Sequence, residues 1–337
     1  MNRRVLTASL ASIATAIALA IPITPATAAV PAAAPTAGDF TKLYVGPEGG
    51  MWYQVHVPPA QAAGKPLPVV VSLHGCTMSG YGLNNMRDLT NFNAVADEKG
   101  FIVVYPTQDV FRDITGCWGG LKPEHQRRGH GEPEMFAGVT KQVIADYNAD
   151  PKRVHINGAS SGAGSAVIMG VAYPDLFATV TSVAGAEYAA NEINLDDLTD
   201  PSPVDTAKRA WAQMGKRARP VPTLVVQGDQ DTVVRPLLAD RLVTHWAAID
   251  DLAMNNALDG QMDDIADKTV TVTTPGKKSF TQKSYVPRAG GPSLIEYVTV
   301  HGLEHKWPGP GTGALVDNDG PDLARIIWDF NATRSLP

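Results

Sequence analysis

The amino-acid sequence predicts an α/β fold, a three-layer sandwich with helices on both faces of a mostly parallel central sheet. Two observations carry that expectation. The apolar runs at 67–73 (LPVVVSL), 101–105 (FIVVY) and 223–226 (TLVV) are continuous rather than alternating, as in strands buried on both faces. Amphipathic or Ala-rich stretches separate them, so successive strands need crossover connections.

Read in order, 43–45 and 52–57 form two strands around a turn at Pro47, Gly49 and Gly50. After the run at 67–73, a helix spans 86–98 and Gly100 ends it. Residues 107–131 hold Cys117, Trp118 and several glycines, and read as a long functional loop. The segment 133–147 sets Phe136, Val139, Val143, Ile144 and Tyr147 at helical spacing. Strands follow at 153–156 and 178–183 around a helix at 161–172. Residues 190–219 read as a helical insertion over one sheet edge, and 236–248 as a helix. The stretch 250–292, Asp-rich and then Thr/Lys-rich, yields no clear element. A last strand at 295–300 and a closing helix at 322–330 complete the chain.

The first residues have the form of an export leader: Arg3 and Arg4, then an apolar stretch broken by Pro22 and Pro25, then Ala26-Thr27-Ala28. Residues 1–28 are therefore expected to be a signal peptide, 29–39 a disordered Ala/Pro-rich stub, and 40–337 one catalytic domain. The mature protein is expected to be secreted, monomeric and free of the membrane. The 28 basic and 34 acidic residues give a net charge of −6, and losing Arg3 and Arg4 takes it to −8. No basic run stands out, which argues against nucleic acid as a partner. Two cysteines, Cys76 and Cys117, in an exported chain point to one disulfide, with a nucleophilic cysteine as the alternative.

The chemistry centres on Gly158-Ala159-Ser160-Ser161-Gly162, a G-x-S-x-G motif between a strand and a helix. In an α/β-hydrolase that turn is so sharp that the residues around the serine must be small, and it lifts the hydroxyl above the sheet edge. Serine needs a base, and the base needs an acid to orient it; in this fold they follow in the order acid, then histidine. Past the strand at 223–226 stand Asp229 and Asp231, and past 295–300 stand His301 and His305. Spacing does not separate either pair. The loop His74-Gly75-Cys76 follows the run at 67–73, so the backbone N–H groups of Cys76 and Ser161 are candidates for the oxyanion hole. His74 itself reads as a structural residue bonded to the loop backbone.

Together, His74-Gly75-Cys76, Cys117-Trp118, Gly158-x-Ser160-x-Gly162, Gly228-x-x-Asp231-x-x-Val234 and Gly302-x-x-His305-x-Trp307-Pro308-Gly309 resemble the polyhydroxybutyrate depolymerase-type esterases. Feruloyl and acetylxylan esterases are similar. The resemblance covers residues 40–330 and implies Asp231 as the acid, His305 as the base, and a Cys76–Cys117 disulfide bracing the oxyanion loop. It also implies that Trp118 and Trp307 flank the acyl site as substrate-binding residues. Ser161 and Ala163 depart from the family's usual elbow residues, and Glu304 and Lys306 put charge beside His305.

The expected activity is hydrolysis of carboxylic esters through an acyl-enzyme, with no metal and no cofactor. Expected substrates are polyhydroxyalkanoate or other polyester oligomers, with feruloyl or acetyl esters of plant polysaccharide as the alternative. An acyltransferase and a non-catalytic binding protein are the readings from other classes.

Overall fold

The structure is a computed structural model that describes residues 36–194 and 198–337. The leader expected at 1–28, and residues 29–35 of the stub, lie outside the described residues. The stub ends earlier than expected. Strand β1 (Gly38–Gly46) begins inside it, because Gly38 and Asp39 already pair with Val57 and His56 of β2 (Gly49–Val57). The Asp39 carboxylate also lies 2.7 Å from His56 Nδ1.

The other principal strands are β3 (Val69–Leu73), β4 (Ile102–Thr107), β5 (Val154–Ala159), β6 (Thr179–Val183), β7 (Thr223–Gly228), β8 (Lys268–Val272), β9 (Phe280–Tyr285) and β10 (Ile295–Val300). They form one sheet in the order β1-β2-β4-β3-β5-β6-β7-β10-β9-β8. The central six, β4 to β10, run parallel, and antiparallel pairs close both edges. Alternate residues of the continuous apolar runs feed opposite faces. Val69, Val71 and Leu73 join the core beneath α3 (Gly131–Asp146), α4 (Ser161–Ala172) and α6 (Pro236–Asn255). Val70, Val103 and Tyr105 join the core beneath α1 (Met86–Thr90), α2 (Phe92–Lys99) and α7 (Leu323–Ala332). Two faces covered by helices make the three-layer sandwich, and they explain why these strands lack alternation.

Four expectations change. The single helix at 86–98 is two, broken at Asn91, which takes the left-handed conformation (φ 56°) that asparagine tolerates better than most residues. The helix at 236–248 runs on to Asn255, and its last turns bury Asp250 and Asp251. Asp250 accepts from the Val221 N–H at 2.8 Å, and Asp251 from Gly260 and Met262; carboxylates so used are invisible as core positions in the sequence. The insertion contributes α5 (Pro203–Met214), which lies on α4 and α6 rather than on a sheet edge. Its buried face of Thr206, Ala207, Ala210 and Met214 lets the helices approach closely. Finally, 250–292 contains the edge hairpin β8–β9, whose β8 is exposed on almost every residue and so has no apolar period to read.

Candidate active site

Ser160 stands between β5 and α4 with φ 54° and ψ −120°, a strained conformation for a non-glycine residue. Its N–H donates to the Val183 carbonyl (2.9 Å), and its carbonyl accepts from Ala163 (2.9 Å), so the end of β6 and the first turn of α4 fix the turn. The glycines of the motif are steric necessities. A Cβ on Gly158 would strike the backbone of Gly162, and one on Gly162 would strike the carbonyls of Leu73 and His74. Gly75 makes a further close approach, since a Cβ there would sit 3.2 Å from that of Ser160.

Strands β7 and β10 pair in parallel, and the loops after them are stitched together by the Gln230 N–H donating to Leu303 O (3.0 Å). This brings Asp231 and His305 to the sheet edge occupied by Ser160. His305 Nδ1 lies 2.8 Å from Asp231 Oδ2, and His305 Nε2 lies 3.2 Å from Ser160 Oγ. Asp231 is buried and also accepts from the N–H groups of Val233 and Val234 (2.9 Å each) and from Gln227 Nε2 (3.2 Å). Burial opposes its ionisation. The hydrogen bonds from His305 and the two amides outweigh burial and hold the carboxyl below its usual range. Asp229 and His301 form a separate pair (3.0 Å), in which the other nitrogen of His301 meets Thr281 Oγ1 at 2.8 Å.

The loop after β3 is held by His74. The buried ring donates from Nδ1 to Gly75 O (2.7 Å) and accepts from the Gln108 N–H at Nε2 (3.0 Å). Burial pushes its pKa down to about 4, so it stays neutral as this bonding requires. Cys76 is bonded to Cys117, which ties this loop to the loop after β4. Two further residues brace the second loop. Gln108 donates to the Cys117 carbonyl (3.0 Å) and to Glu132, and Glu132 accepts from the Gly119 N–H (2.8 Å). Both are buried, and nothing in a Gln and a Glu within a polar stretch distinguishes them in the sequence. The Ser161 N–H belongs to the first turn of α4, where the helix leaves its amides without intrahelical partners.

Two cavities meet at Ser160, and Cys76, Ala184 and Val233 line both. The first, about 280 Å³, is bordered by Met78, His305, Lys306 and Trp307. The second, about 360 Å³, is bordered by Trp118, Ser161, Ile168, Glu187 and Leu238. The carboxylate of Glu187 is neutralised in place. Arg241 grips it through two nitrogens (2.9 and 2.6 Å) and Thr206 donates to it (2.7 Å). Both tryptophans are largely core residues. Trp118 packs on Phe136 and donates to the His74 carbonyl (2.8 Å), while Trp307 packs on Phe92. Trp307 lines the first cavity and Trp118 the second. Among the described residues no cluster of His, Cys, Asp and Glu has a metal-binding arrangement, and no helix is long and apolar enough to cross a membrane.

Comparison with known proteins agrees with this architecture. A family model described as esterase PHB depolymerase matches residues 51–262. The chain is 30% identical to poly(3-hydroxyalkanoate) depolymerase C of Paucimonas lemoignei over 291 residues, 83% of this chain and 64% of that protein. It is 27% identical to feruloyl esterase B of Neurospora crassa over 205 residues, 57% of this chain and 68% of that protein. Among solved structures, acetyl xylan esterase from Aspergillus awamori matches 80% of this chain and 94% of its own with a TM-score of 0.63 at 21% identity, and shares the α/β-hydrolase fold. The chain thus spans just under two thirds of the depolymerase's length.

Proposed function

The chain belongs to the esterase PHB depolymerase family, and on that premise we propose that it is a carboxylic ester hydrolase working through Ser160, His305 and Asp231. The observation that carries this reading is the His305 ring, bonded to a buried carboxylate on one nitrogen and to the Ser160 hydroxyl on the other. His305 takes the proton of Ser160 as the oxygen attacks the ester carbonyl. Asp231 holds the ring in the required tautomer and stabilises the imidazolium. The amides of Cys76 and Ser161 receive the developing oxyanion, each worth about 3 kcal/mol in enzymes of this kind. His305 then protonates the departing alcohol, and a water activated by the same ring releases the acid.

The proposed substrates are polyhydroxyalkanoate or other polyester oligomers, with Trp118 and Trp307 each offering a flat edge to one half of the ester. The depolymerase relative supports this class; the feruloyl esterase and acetyl xylan esterase relatives support esters of plant polysaccharide as the second reading. The proposal includes export: the leader-like residues 1–28 and the Cys76–Cys117 disulfide both suit an oxidising compartment. One catalytic domain starting at β1 would follow the leader. A panel of hydroxybutyrate oligomers, p-nitrophenyl butyrate, methyl ferulate and acetylated xylan tests the substrate reading. Release of hydroxybutyrate at the highest kcat/KM supports the first class, and preferential release of ferulate or acetate replaces it with the second.

A further inference from the structure

The two cavities at Ser160 differ in charge. Lys306 is the only lysine or arginine among the residues lining the first, and no Asp or Glu lines it. Its partner is Glu304, at 3.3 Å, whose side chain is 68% exposed. An ion pair so open to water competes weakly for the ammonium. The second cavity has one charged lining residue, Glu187, and that carboxylate is already satisfied by Arg241 and Thr206. One side of the catalytic serine therefore has a weakly paired lysine in its wall, and the other side has no charge left unsatisfied.

The position of His305 says which half of the ester meets the cation. The base must hand its proton to the departing alkoxide, so the alcohol half sits on its side. His305 borders the first cavity and not the second. Lys306, the next residue in the chain, thus stands beside the alcohol half.

We propose that Lys306 is a specificity residue that binds a carboxylate on the alcohol portion of the ester, so that the preferred leaving group is a hydroxy acid with a free carboxylate. The inference rests on the functional reading above and narrows it to cleavage beside the carboxyl end of an oligomer. The acyl half, apolar and uncharged, occupies the second cavity.

The test uses the full-length mature protein and two small esters with the same acyl group, 3-butanoyloxybutyrate and its carboxamide, with butyrate release as the readout. The wild type is expected to favour the carboxylate by about tenfold in kcat/KM, the scale of one partly solvated charge-assisted hydrogen bond. Lys306→Gln should bring the ratio to about one, Lys306→Arg should keep it, and Glu304→Gln should raise it by removing the competing anion. Raising the salt to 0.5 M should lower the wild-type ratio by screening. Equal hydrolysis of the two esters by the wild type, or an unchanged ratio in Lys306→Gln, would overturn the assignment while leaving the esterase intact. Release of butyrate from neither ester would instead strike at the esterase reading, and the assignment would fall with it.

Discussion

His301 Nδ1 lies 3.0 Å from the Asp229 carboxylate, forming a second His–Asp pair beside the one that reaches Ser160. The acids stand two positions apart in the chain and the histidines four, yet the pairs do not mix. Asp229 also accepts from the Gly302 N–H (2.7 Å) and its histidine turns to Thr281, so this pair ties the β7 and β10 loops together. Asp231→Asn should therefore lower kcat by about three to four orders of magnitude, the effect of a wrong histidine tautomer. Asp229→Asn should cost less than about tenfold, by loosening the loop. Steady-state kinetics on one p-nitrophenyl ester decides; the reverse order would move the acid by two residues.

How much of this was legible beforehand depends on what each residue's neighbours reveal. The serine elbow was legible because a strand, a glycine-flanked serine and an Ala/Gly-rich helix stand in sequence, and steric demand alone selects the glycines. The central strands were legible because burial on both faces leaves a continuous apolar run. Choosing Asp231 over Asp229 and His305 over His301 was beyond spacing, since both acids and both histidines leave the same strand ends; only the family resemblance ranked them. The hairpin β8–β9 was unreadable because an exposed edge strand has no buried face to write a period into the sequence. Gln108 and Glu132 escaped because they bond each other and the backbone of a loop whose path the sequence does not disclose.

The close packing at the elbow predicts a contrast between two glycines two positions apart. Gly162→Ala would drive a methyl group into the Leu73 and His74 carbonyls, so the variant should lose more than about 2 kcal/mol or fail to fold. Gly164→Ala meets nothing within 4 Å and lies in α4, where alanine is favoured by up to about 1 kcal/mol. Urea melts of the two variants test this. A Gly162→Ala protein as stable as the wild type would contradict the packing.

Loss of the disulfide should affect stability and catalysis together. Cys117→Ser opens a loop closed across 41 residues of sequence, worth roughly 4 kcal/mol in the chain-entropy model. Cys76 is also the proposed oxyanion donor, and a freer backbone should hold its amide less well within hydrogen-bond reach. We expect a lower Tm and a kcat reduced by about tenfold. A variant that melts earlier but turns over normally would separate the bond from catalysis.

Acid should destabilise the fold over a definite window. Burial pushes the pKa of His74 down to about 4 and those of His155 and His245 down to about 3, against about 6.5 in the unfolded chain. Between those values the unfolded state holds more protons, so stability is full above about pH 6.5 and falls as the pH drops towards 4. Each histidine contributes about 1.4 kcal/mol per pH unit within the window. Buried Asp250, whose carboxyl is raised well above its usual range, works in the opposite sense and offsets part of this slope. Urea midpoints at pH 7, 6 and 5 should therefore fall steeply, and equal midpoints would contradict the burial of these rings.

The central claim is that Ser160 is the residue acylated by substrate. A fluorophosphonate reacts with a serine only where a base activates it and an oxyanion hole receives the phosphonyl oxygen, so it reports the whole site rather than the motif. Peptide mapping by mass spectrometry after labelling should find one adduct, on Ser160, and none in the His305→Ala protein. An active, labelled enzyme with its adduct on any other residue, or an active enzyme that takes no label, would contradict the account.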